Sequence, residues 1–142
     1  MIANPDSAFV VPYFDNGDTM LVRQWRHAWN ASSWEVPAGT SEKDEDPLEC
    51  ARRELAEETG LVAARYTSLG RVHGAAILTG SAHLFLAEQL TESKRAPERY
   101  EADMEVLRLP FADALGAALD GQIVHTGSVT ALCRAARVLK EL

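Results

Sequence analysis

Apolar residues run unbroken through Ala8-Phe9-Val10-Val11, continue past Pro12 to Tyr13-Phe14, and stop at Asp15-Asn16-Gly17-Asp18. The run is rich in β-formers, with Pro12 marking an edge or a bulge, and the four polar residues read as a hairpin turn. Residues 19–26 alternate well enough to be the returning strand. A polar loop over 27–33 leads to a short strand at Trp34-Glu35-Val36, ended by Pro37, and a long loop then runs to Asp46. The next pattern is helical, with explicit ends. Asp46 is the N-cap, Pro47 takes the first helical position, Glu49 completes an Asp-x-x-Glu capping box and Gly60 supplies the left-handed stop. Leu48, Ala51 and Leu55 form its buried stripe.

Further strands are expected over 64–73, 82–88 and 104–109, with the polar stretch 89–100 as a loop. Pro110 can open a helix over 111–119 that ends at Asp120-Gly121. A last helix over 128–139 places Val129, Leu132, Cys133, Ala136 and Leu139 at helical spacing. The chain shows no internal repeat, low-complexity tract or linker. Strands, a helix, more strands and two helices in that order predict one α/β sandwich around a mixed sheet.

At 142 residues the chain fits one domain with a real core, 1–142. A 46% hydrophobic and 25% charged composition excludes wholesale disorder, and no apolar run approaches a membrane span. The first residues lack the basic start and apolar stretch of a signal peptide, and two cysteines make no disulfide or metal framework. A cytoplasmic setting is expected. The net charge of −7 is a poor footprint for a nucleic-acid binder.

That charge is concentrated. Between Gly39 and Leu61 there are eight acids and three bases, which carry −5 of the total. In the 47–59 helix Glu54, Glu57 and Glu58 fall within an arc of about 100° beside the apolar stripe, at the border of the core. Glu54 and Glu58 are a like-charge i, i+4 pair that destabilises the helix unless something positive compensates. A solvated acidic face braced by Arg52 and Arg53 is one answer. A seat for hard, oxygen-seeking divalent cations is the other.

The run Gly39-x5-Glu45-x7-Arg53-Glu54-Leu55-x-Glu57-Glu58-x-Gly60-Leu61 resembles the Nudix box, G-x5-E-x7-R-E-U-x-E-E-x-G-U with U aliphatic, at every defined position. The resemblance implies a Nudix-type α/β/α sandwich. It implies that Glu54, Glu57 and Glu58 bind metal, that Arg53 and Glu45 orient them through a salt bridge, that Gly39 lets the loop approach the helix, and that the Ala38 carbonyl is a further ligand. The implied reaction is attack by water on a nucleoside diphosphate linked to another group, with Mg²⁺ (or Mn²⁺ in its place) neutralising the pyrophosphate.

Val22-Arg23-Gln24-Trp25-Arg26-His27-Ala28 and Trp34-Glu35-Val36-Pro37-Ala38-Gly39 resemble the region before the box in ADP-ribose and nucleotide-sugar pyrophosphatases. His83-Leu84-Phe85-Leu86-Ala87 and Gly121-x-Ile123 resemble that branch too. On this resemblance Arg26 contacts the phosphates or the terminal ribose, while Trp34 or Trp25 either stacks on a base or packs in the core. Two features depart from the branch: Ala75-Ala76-Ile77-Leu78 stands where a proline is usual, and only a few residues precede the first strand. Glu101, with Glu98 behind it, is the candidate general base. The partner implied is a small-molecule nucleotide, with no nucleic acid or membrane, and homodimers are frequent in the branch. Two rival readings are a MutT-type nucleoside triphosphate pyrophosphohydrolase and a regulatory Nudix domain that senses a nucleotide without hydrolysing it. The four histidines lack metal spacing and read as structural or exposed, and both cysteines read as packing residues.

Overall fold

The computed structural model describes residues 1–93 and 104–141. Among these residues seven strands and three helices follow one another as β1 (Ser7–Pro12), β2 (Asp18–Arg26), a 3₁₀ turn (His27–Trp29), β3 (Ala31–Glu35), β4 (Ala38–Thr40), α1 (Pro47–Thr59), β5 (Leu61–His73), β6 (Ser81–Glu92), β7 (Glu105–Pro110), α2 (Phe111–Leu119) and α3 (Thr126–Leu139). Four strands form a mixed sheet in the order β4-β1-β6-β5, with β1 and β6 parallel. The other three form an antiparallel sheet in the order β3-β2-β7.

The unbroken apolar run at Ala8-Phe9-Val10-Val11 has a structural cause. Strand β1 lies between β4 and β6, and both of its faces are covered. Ala8 and Val10 join Cys50, Ala51 and Leu55 of α1, together with Phe85 and Ala87 of β6. Phe9 and Val11 join Leu132 and Ala136 of α3, together with Leu84 and Leu86. A strand buried on both sides needs apolar residues at every position, so alternation disappears. The sandwich is therefore helix on sheet on helix, as the expected α/β class requires.

The expected hairpin is corrected. The turn closes, with Gly17 N–H donating to Phe14 O at 2.9 Å and Phe14 N–H to Asp18 O at 2.9 Å, but β1 and β2 enter different sheets. A strand has two edges, and β4 and β6 occupy both edges of β1, so β2 pairs with β3 and β7 instead. Two expected loops also contain strand. Residues 31–33 extend β3, because Arg26↔Ala31 and Trp25↔Ser32 continue the β2 ladder. Residues 38–40 form β4 against the start of β1. Strand β6 runs on to Glu92, four residues into the expected 89–100 loop, and residues 94–100 lie outside the described residues.

The helices keep close to their predicted bounds. The α1 N-cap is Asp46, whose carboxylate accepts from Leu48 N–H at 3.1 Å, and Gly60 closes the helix at φ 74°. The α3 stripe is rotated from the expected one. Ser128, Ala131, Leu132, Ala135 and Ala136 are buried, whereas Val129, Cys133 and Leu139 sit at its margin. Small residues let the helix approach the sheet closely, a preference that apolar spacing alone does not report. No described helix is long and apolar enough to cross a membrane.

Candidate active site

Helix α1 follows a loop that folds back on its flank, and one side chain joins the two. Arg53 Nε and Nη2 donate to both oxygens of Glu45, at 2.8 and 2.9 Å, and Nη2 also donates to Thr40 O at 3.1 Å. Its Nη1 reaches Glu54 at 2.8 Å and Glu57 at 3.3 Å. A planar guanidinium has enough donors to serve the loop and the helix together. The Arg53 charge and hydrogen bonds hold the Glu45 carboxyl well below its ordinary range, at about 2.

The other carboxylates are in the opposite situation. Glu54 and Glu58 are buried, each 8% exposed, whereas Glu57 is exposed. Burial raises the Glu54 carboxyl, although Arg53 opposes it. Burial pushes Glu58 up to about 8, against the pull of the Ala38 N–H. Glu58 Oε1 accepts from that N–H at 2.8 Å, and Oε2 accepts from Gln24 Nε2 at 3.3 Å. Two neighbouring carboxyls held out of water with incomplete compensation have a high affinity for added positive charge.

These groups open into a cavity of about 380 Å³ whose lining includes Ala38, Gly39, Glu54, Glu57, Glu58 and Arg26. Gly39 is required by space: a Cβ there would overlap the Glu54 carboxyl group. Arg26, from β2, lines the same cavity. Its Nε donates to Glu35 Oε2 at 2.8 Å and its Nη2 pairs with Glu35 Oε1, while Nη1 has no protein partner among the described residues. Glu35 is 1% exposed, so the pair is fixed in place, and its hydrogen bonds raise the Arg26 pKa further above its ordinary value.

Six of the sequence-predicted residues thus meet in one cavity, and Arg53 and Glu45 stand directly behind it. Trp34 does not join them. It lies on the other face of β3 from Glu35, partly buried, with the Arg23 guanidinium 5.9 Å from its ring centre. Trp25 is half-exposed and borders a shallow recess beside Arg26. Glu101 and Glu98 lie outside the described residues. Gln24, Glu35 and His125 are site residues that the sequence reading missed. Neither Glu35 nor His125 carried a local signal of its role, which comes from Arg26 and Ser128.

Among the described residues no three acidic, histidine or cysteine side chains converge into a ligand cluster by themselves. The donor set nevertheless fits a hard divalent cation. Glu54 and Glu58 offer carboxylate oxygens at the edge of the Gly39 cradle, and a cation that keeps waters or takes phosphate oxygens needs only one or two carboxylates.

Comparison with known proteins agrees with this geometry. A model of the NUDIX domain matches residues 3–125. The ADP-ribose pyrophosphatase of Bacillus subtilis (strain 168) is 34% identical over 118 residues, which are 81% of this chain and 63% of that protein. The ADP-ribose pyrophosphatase of Mycobacterium tuberculosis is 37% identical over 121 residues, 82% of this chain and 58% of that one. The chain thus spans about three fifths of the length of these two relatives. A solved structure described as an ADP compounds hydrolase superposes with a TM-score of 0.84 over 97% of this chain and 74% of the other, at 22% identity, a likeness of fold. With the domain match covering most of its length and Glu54, Glu57 and Glu58 of the motif gathered at one cavity, the chain belongs to the NUDIX domain family.

Proposed function

We propose that the chain is a Mg²⁺-dependent hydrolase of the pyrophosphate bond in a nucleoside diphosphate linked to another group, ADP-ribose or another nucleotide sugar first. The products are a nucleoside monophosphate and a sugar phosphate. The observation that carries the reading is the pair of buried carboxyls, Glu54 and Glu58, lining one cavity with Arg26. The names of the two pyrophosphatase relatives support the substrate class.

The bound cations, Mg²⁺ or Mn²⁺ in its place, supply charge neutralisation of the phosphates and activation of water. The chain's residues do the rest. Glu54 and Glu58, with the Ala38 carbonyl, hold the positive charge, and Glu57 adds a carboxylate at the solvent side. Arg53 and Glu45 keep Glu54 and Glu57 from turning away. Arg26 donates from its unpartnered Nη1 to a phosphate oxygen, and Glu35 prevents it from swinging. Water adds to phosphorus as the bridging P–O bond breaks, the leaving phosphate takes the electron pair, and a carboxylate receives the proton. Glu101 is the proposed general base. Positioning and neutralisation account for most of the acceleration.

A hydrolysis screen with Mg²⁺ over ADP-ribose, other nucleotide sugars, dinucleoside polyphosphates and nucleoside triphosphates tests this reading. AMP plus ribose 5-phosphate is the expected outcome with ADP-ribose, and Glu58→Gln should lower kcat by at least about 100-fold. Release of pyrophosphate from triphosphates alone, or inactivity on every compound, would overturn it.

A further inference from the structure

Two cavities meet beside the carboxylates. The one holding Glu54 and Glu58 shares Ser7, Phe9 and His125 in its lining with a second of about 220 Å³. Apolar surface from Phe9, Trp29, Val72, Leu78 and Ala82 dominates the second cavity, and its lining contains no Asp, Glu, Lys or Arg. Its rim is built by specific bonds. Asn4 Oδ1 accepts from Gly80 N–H at 2.6 Å, Asp6 Oδ1 accepts from Ser81 N–H at 2.9 Å, and Ile2 bridges to Leu78.

His125 stands at the junction. Its ring leans on Phe9 with centroids 5.2 Å apart, and Trp29 lies 6.3 Å away. Nδ1 is 2.8 Å from Ser128 Oγ, and that oxygen already accepts from Val36 N–H at 3.0 Å. Ser128 is fully buried, so its hydroxyl proton needs an acceptor within the protein, and among the described residues His125 Nδ1 is the one in reach. Glu35 Oε1, at 3.7 Å from Nδ1, is too distant to compete for a proton there. This assignment puts the lone pair on Nδ1 and the hydrogen on Nε2. Nε2 has no hydrogen-bond partner among the described residues. Burial lowers the pKa of the ring, which keeps it neutral at pH 7.

We infer that the second cavity seats the heteroaromatic base of a nucleotide substrate, and that His125 donates from Nε2 to the ribose–phosphate portion where the molecule passes between the cavities. The inference rests on the proposed function and adds the orientation of the substrate. Phosphates belong with Arg26 and the cations in the first cavity. A terminal sugar, polar at every carbon, would leave hydroxyls unpaired against Val72, Leu78 and Ala82. A base presents two apolar faces and a few edge groups, which suit these walls with Ser7, Ser81 and Thr126 among them. The rival seat is the recess bordered by Trp25, His27 and Trp29.

Steady-state kinetics with ADP-ribose and Mg²⁺ test the inference in three variants. Ala82→Leu fills the second cavity away from the carboxylates. His125→Phe keeps the ring and removes the donor, and His125→Gln returns an amide donor near the Nε2 position. The expected result is a rise in KM of about tenfold for Ala82→Leu with kcat within about threefold, and a similar rise for His125→Phe that His125→Gln largely reverses. Titration of the unaltered, isotope-labelled protein with AMP gives a reading independent of how the variants fold. Amides of Val72, Gly74, Leu78 and Gly80 should shift, and ribose 5-phosphate should leave them in place. Unchanged KM in Ala82→Leu and His125→Phe, or AMP shifts centred on Trp25, would overturn the inference while leaving the proposed function standing. Failure of the unaltered protein to hydrolyse ADP-ribose or any other nucleotide sugar would instead overturn the proposed function.

Discussion

Glu58 and Gly39 show how single positions carry the cavity. The Glu58 carboxyl is pushed up to about 8 from an ordinary 4.5, so the folded chain holds a proton there that the unfolded chain releases. Folding is therefore most favourable, as far as this group is concerned, below about pH 4.5, and that contribution is lost progressively as pH rises towards 8. Without divalent cations, the melting temperature of the unaltered protein should fall more between pH 5 and pH 8 than that of Glu58→Gln; parallel pH profiles would assign the titration to another group. Glu45 has the opposite sign: its Arg53-dependent contribution is present above about pH 4.5 and is lost as pH falls towards 2. Gly39 is a matter of space. In Gly39→Ala the new methyl would meet the end of the Glu54 side chain, which can rotate aside. The expected result is a melting temperature within a few degrees of the parent but an activity loss of about 10–100-fold, because a displaced carboxylate weakens cation binding. Glu54, Glu57 and Glu58 could be picked out in the sequence because helical spacing determines their placement, and Arg53 and Glu45 because the chain keeps the spacing of the Nudix box. Glu35 and His125 could not, because their importance comes from Arg26 and Ser128, neighbours supplied by other elements.

Helix α1 was the most legible element because its ends are chemical. Asp46, Pro47 and Gly60 satisfy or forgo specific backbone hydrogen bonds, and that chemistry acts within a turn of each residue. Asp46→Ala removes the acceptor for Leu48 N–H and should cost about 1 kcal/mol, a drop of about 3–5 °C in melting temperature. The first turn does not carry Glu54 or Glu58, so kcat should stay within about twofold of the parent; a larger loss would show that the cap also sets the carboxylates. The strands were harder. The start of β3 is Ala31-Ser32-Ser33, with no apolar alternation, and it is strand because β2 presents an open edge to it. Strand β4 is three residues whose pairing with β1 is equally non-local. Trp34 shows the value of register: period-2 geometry sends it to the face opposite Glu35, away from the cavity that Arg26 enters.

Across the molecule, the cavity exists because two sheets and α1 meet. The mixed sheet contributes Ser7, Phe9, Ala38 and Gly39, the antiparallel sheet contributes Gln24 and Arg26, and α1 contributes the glutamates. Its excess of negative charge should make stability depend on cations. Mg²⁺ at about 100 times its dissociation constant should stabilise the fold by about 2.7 kcal/mol, seen as a rise in melting temperature that a chelator reverses. The Glu54→Gln, Glu58→Gln double variant should lose that rise, and an undiminished response would place the cation elsewhere. Local chemistry along the chain was sufficient to establish α1 and its capped ends, the carboxylate arc and the α/β class, and the resemblance to the Nudix box added the clamp of Arg53 on Glu45. Which edges of β1 were taken, how the hairpin partners separated into two sheets, which face of α3 turned inward, and which buried acid came to hold Arg26 depended on contacts between segments far apart in sequence. Backbone periodicity and capping act over a few residues, whereas strand pairing and the burial of a charge are settled only when distant parts of the chain compete for the same edge or the same partner.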